Sequence, residues 1–73
     1  MSEYTLSNEE KSSIIESHLR TLAYSKYNLQ VNLMEEEAAD APSVDAVASV
    51  NAQIAAVDKK IDALVEEMST LSE

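Results

Sequence analysis

The stretch VASVNAQIAAVDKKIDALVEEMSTL, residues 47–71, decides the fold. Val47, Val50, Ile54, Val57, Ile61, Leu64, Met68 and Leu71 recur in alternating steps of three and four without a miss. That spacing brings one apolar line back to the same side of an α-helix and makes a heptad seam in which every a and d position is apolar. Neither Gly nor Pro interrupts it. A seam of this kind is stable only against a second helix, so the partner is sought upstream.

The same rhythm picks out Ile15, Leu19, Leu22, Lys26, Leu29 and Leu33, flanked by Ser12 and Glu36. Folding the chain back about Pro42, its only proline, sets Leu33 opposite Val50, Leu29 opposite Ile54 and Lys26 opposite Val57. Leu22 then meets Ile61, Leu19 meets Leu64, and Ile15 meets Met68. The polar ends obey as well, Glu36 with Val47 and Ser12 with Leu71. Each a position faces a d position, as antiparallel helices require. A parallel pairing is impossible across so short a link. The expected fold is all-α, an antiparallel two-helix hairpin of coiled-coil type that assembles into a helical bundle.

Helix boundaries follow from local chemistry. Ser7-Asn8-Glu9-Glu10 forms a capping box, with Glu10 reaching back to its cap and both glutamates at the positive end of the helix dipole. Pro42 disfavours helical geometry at Ala41, so the first helix is expected to end near Asp40. Pro42 suits a first helical turn, and Ser43 competes as an N-cap. The expected organisation is a leader over 1–6, helix over 7–40, turn over 41–43 and helix over 44–71, all one domain.

Composition closes other routes. The 73 residues contain no Gly, Cys, Phe or Trp. A Gly-free chain lacks easy left-handed turns and cannot build a Gly-rich phosphate loop. Without Cys there is no disulfide framework, thiolate nucleophile or thiolate metal site. Fourteen acids against five bases give a formal charge of −9, which opposes phosphate backbones and anionic membranes. No stretch is long and apolar enough to span a bilayer or serve as a signal peptide. The expectation is a cytoplasmic protein with no direct nucleic-acid partner and no membrane partner.

Lys26 breaks the apolar seam. Its methylenes can pack while the ammonium snorkels toward Asp58, the nearer candidate, or toward solvent on the Glu66 side, or the polar a position can act as a register device. The outer positions b and f, normally solvated, carry Tyr24, Tyr27, Val31, Met34 and Ala38 on the first helix. On the second helix Ala48, Ala52 and Ala55 lie near the turn, giving way to Lys59, Asp62 and Glu66 farther along. The outer surface is therefore apolar or small near the bend and charged at the open end. Tyr24, Tyr27, Val31, Met34, Ala48, Ala52 and Ala55 are the candidate interface. Two tyrosines offer rigid amphipathic anchors, and the alanines allow close helix approach.

Chemistry is thin elsewhere. His18 lies at a g position with no Asp, Glu or His three or four residues away, so no local metal pair forms. Glu66 or Glu67 is its expected neighbour across the seam. Serines are plentiful, but a nucleophile needs a base and an oxyanion site that a Gly-free hairpin does not supply. Glu35, Glu36, Glu37, Asp40 and Asp45 make the densest acidic surface. Consecutive helical carboxylates point in different directions and do not converge on a cation. They serve solvation, or meet a basic patch on a partner.

Tyr4-Thr5-Leu6-Ser7-Asn8-Glu9-Glu10-Lys11, followed by Tyr27-Asn28-Leu29, resembles short helical proteins of tailed cyanobacterial viruses (cyanophages) over the first half of the chain. The resemblance implies a phage accessory or minor assembly protein acting in a bacterial cytoplasm, and it carries no catalytic residue over. The functional expectation is a non-enzymatic protein–protein interaction protein, a homo-oligomer that also binds a host or viral protein, with no cofactor and no metal. The alternative is a small acidic inhibitor, a nucleic-acid charge mimic blocking a basic site on a host protein.

Overall fold

The computed structural model describes residues 4–72; of the expected leader, residues 1–3 lie outside the described residues, as does Glu73. Two helices, α1 (Asn8–Glu37) and α2 (Val44–Leu71), pack along their lengths as an antiparallel hairpin. The molecule is a rod of 61 × 19 × 14 Å.

The capping box forms at the start of α1. The Ser7 hydroxyl accepts a hydrogen bond from the Glu10 amide at 3.1 Å, and the Ser7 amide donates to Glu10 Oε1 at 2.9 Å. At the far end α1 stops at Glu37, short of the expected Asp40. The Ala38 cap keeps a right-handed conformation, and no described residue has positive φ. The reason is the missing glycine. A helix that cannot end on a left-handed residue cannot reverse at once. It unwinds early and spends residues 38–43 crossing to its neighbour.

Ser43 takes the N-cap of α2, accepting from the Ala46 amide at 3.2 Å, so Pro42 precedes the cap. The Ser43 amide in turn donates to Glu36 Oε1 at 3.1 Å. Glu36, the last seam position of α1, thereby ties the end of one helix to the beginning of the next. At the open end Asn8 Nδ2 donates to the Leu71 carbonyl at 3.3 Å, joining residues at opposite ends of the chain.

The seam runs between these two fastenings. All its positions, from Ser12 to Glu36 on α1 and from Val47 to Leu71 on α2, are half-buried. Outside that line only Gln30, Val31, Ala46 and Asp58 are covered to the same degree. None of the described residues is fully buried. Two helices enclose a line rather than a volume, so each seam side chain keeps an edge in water.

Candidate interaction surface

Lys26 shows how the seam accommodates a charge. Its Nζ lies 2.7 Å from Asp58 Oδ1, with the lysine side chain about one-third exposed. The methylenes lie in the seam while the ammonium reaches the flank, where the aspartate meets it. A pair this exposed is worth roughly 0.2–1 kcal/mol. The contact also fixes which flanks of α1 and α2 adjoin, because Asp58 sits at an e position. The e flank of α1, carrying Ala23, Gln30 and Glu37, therefore lies alongside the e flank of α2.

The opposite flank holds His18. With Ser17, Thr21, Leu22, Lys60, Ala63 and Leu64 it lines an open groove of about 510 Å³. Lys60, not the expected Glu66 or Glu67, shares that groove. The two helices meet g against g there, and Lys60 stands one heptad, about two turns, before Glu67 on that line. His18 makes no ion pair among the described residues. No group of three or more described His, Asp or Glu side chains is placed to hold a metal ion.

The acidic run divides by direction. Glu36 turns into the bend to accept from Ser43, whereas Glu35, Glu37, Asp40 and Asp45 are exposed. Ser7, through its backbone amide first and its hydroxyl second, holds the Glu10 carboxyl below the ordinary glutamate value.

The bend-side outer face is open. Tyr24 is 74% exposed, Tyr27 63% and Met34 57%. Val31 is half-buried, with Tyr27 and Met34 one turn away on either side. Ala48, Ala52 and Ala55 are exposed on α2. Sequence reasoning passed over a feature beside this stripe. Arg20, Ala23, Tyr24 and Tyr27 surround a depression of about 330 Å³. A small Ala23 among larger side chains is a signal readable from residue size at three-and-four spacing.

The area of the whole chain makes the same point. A compact monomer of 8.0 kDa exposes about 4,450 Å² by size scaling. This chain exposes 5719 Å². The excess, about 1,300 Å², is the surface of an elongated rod in which no described residue is fully buried.

Among the described residues no helix is long and apolar enough to cross a membrane. No protein-family model, curated protein or solved structure matches the chain.

Proposed function

We propose that this chain is a non-enzymatic interaction protein, an acidic helical hairpin that self-associates through the bend-proximal outer face of α1 and offers its carboxylates to a macromolecular partner. The observation that carries this reading is the coexistence of a half-buried seam, with no fully buried described residue, and an exposed face of Tyr24, Tyr27 and Met34. A hairpin of this size gains little net stability alone, because ordering each residue opposes folding by about 1.5 kcal/mol and nearly cancels the burial of a single seam. A second contact surface supplies the missing burial, at about 25 cal/mol per Å² of apolar area. Clustered exposed apolar side chains are the usual mark of such a surface.

The partner class is a protein with a basic patch, of host or viral origin. Its acidic counterpart here is the bend, where Glu35, Glu37, Asp40 and Asp45 are exposed. The resemblance of residues 4–11 and 27–29 to cyanophage proteins supports a virus-encoded accessory or assembly role in a bacterial cytoplasm.

Sedimentation equilibrium at several protein concentrations tests the reading. The wild-type chain should sediment as an oligomer. Tyr27→Glu combined with Met34→Glu should lower the mass toward the monomer while leaving helicity in place. Unchanged mass in the double variant would remove the proposed face from consideration.

A further inference from the structure

The e flank and the neighbouring b positions of α1 carry a second three-and-four line, Arg20, Ala23, Tyr27, Gln30, Met34 and Glu37, which lies outside the hairpin's own seam. Five of these six are exposed, and Gln30 is half-buried. The line is complementary to its own reverse. Turned end for end, it sets Arg20 against Glu37, Ala23 against Met34, and Tyr27 against Gln30. Each contact then occurs twice.

We infer that two copies of this chain pair α1 against α1, antiparallel, about a two-fold axis passing between Asn28 and Leu29. This rests on the self-association proposed above and gives it a partner surface and a register. Three observations carry it. The depression lined by Arg20, Ala23, Tyr24 and Tyr27 has the i, i+3, i+4, i+7 arrangement of a hole in knobs-into-holes packing. Met34, exposed and flexible enough to fill an irregular hole, stands where the reversed helix delivers a knob to it. Arg20 and Glu37 sit at the two ends with opposite charge. Among the described residues Arg20 is held by a 3.8 Å contact to Glu16 in which both side chains are largely exposed.

Charge selects the direction. A parallel pairing would set Arg20 on Arg20 and Glu37 on Glu37, and would align the two helix dipoles side by side. The antiparallel pairing reverses all three terms. An isologous contact of this kind also closes on itself, which a head-to-tail contact need not do. An unrelated partner would have to reproduce the hole, the knob and both charges at matched spacing; a second copy carries all of them already.

The absence of cysteine makes the register directly testable. Ala23→Cys and Met34→Cys are prepared as separate chains, checked for helicity and mixed in a glutathione buffer. Cross-links between positions 23 and 34 should outnumber 23–23 and 34–34 cross-links several-fold. Dominant 23–23 cross-links would establish a parallel pairing and overturn the inference. No preferred cross-link, with wild-type chain sedimenting as an oligomer, would overturn the register and leave self-association standing. A wild-type monomer at every concentration would overturn both.

Charge reversal is an independent arm. Arg20→Glu or Glu37→Arg alone should weaken dimerisation roughly 3- to 10-fold, from two repulsive contacts per dimer. Mixing the two variants should restore it, because each opposes the other's charges. Equal weakening in the mixture would overturn the pairing of Arg20 with Glu37.

Discussion

Ser7 and Glu10 satisfy each other's backbone, and the consequence is electrostatic as well as geometric. The Glu10 carboxyl is held below its ordinary value by hydrogen bonds that exist only in the folded chain. A depressed carboxylate pKa stabilises the fold above its unfolded value, near 4.5, and that contribution fades as pH falls through the lower folded value. We expect Ser7→Ala, which removes the hydroxyl but keeps the backbone amide, to raise the Glu10 midpoint only part of the way toward 4.5 in an NMR titration of the side-chain carboxyl. The same change should destabilise the helix start by about 1 kcal/mol. A midpoint unmoved by the substitution would mean that the residue-7 amide, which alanine retains, holds the carboxylate without help from the hydroxyl.

Lys26 belongs to the same scale. Its pair with Asp58 lies at the seam's edge, so its worth is small beside that of an apolar side chain in its place. Lys26→Leu is expected to raise the melting temperature, or to admit additional oligomeric states seen in sedimentation, because a polar a position restricts alignments at the expense of stability. A large fall in melting temperature would assign the lysine a structural pair that the seam cannot do without.

The two helices depend on each other more than on their own propensities. In proteins most helical stability comes from the packed apolar face rather than from intrinsic propensity. Leu22 against Ile61 lies inside that face, so Ile61→Asp sets a carboxylate against it. Loss of the cooperative thermal transition in circular dichroism is the expected result; a retained sharp transition would show that the seam runs elsewhere. The bend is the other element with a definite fastening. Glu36, read from the sequence only as a polar seam end and part of an acidic run, holds the Ser43 amide in place. That use was hidden because it requires the early end of α1 and the N-cap of α2 to arrive within hydrogen-bonding distance.

For the whole molecule, a formal charge of −9 opposes every association between copies. Screening removes that opposition more effectively than it affects apolar contact. Self-association should therefore strengthen, or hold steady, as salt rises from low to physiological ionic strength. A partner held by the carboxylates should be released over the same range. Sedimentation of the chain alone and capture by a basic partner, each run as a salt series, separate the two. Self-association that collapses with salt would show that ion pairs, not Tyr27 and Met34, hold the copies together.

The order of heptad residues by itself determined that two helices form, that they run antiparallel and which side chains face inward, because three-and-four spacing on both sides of Pro42 is mirror-symmetric. It also marked the capping box and placed Lys26 beside Asp58, since both depend on residues a turn apart or directly opposed. Tertiary structure alone decided where α1 lets go, which glutamate ties the bend, and that His18 and Lys60 line one groove. Those outcomes depend on the path taken between helices and on which flank meets which, quantities that periodicity leaves free. The depression over Ala23 is of the same kind: its residues are visible in the chain, but a hole exists only once their neighbours have been placed around it.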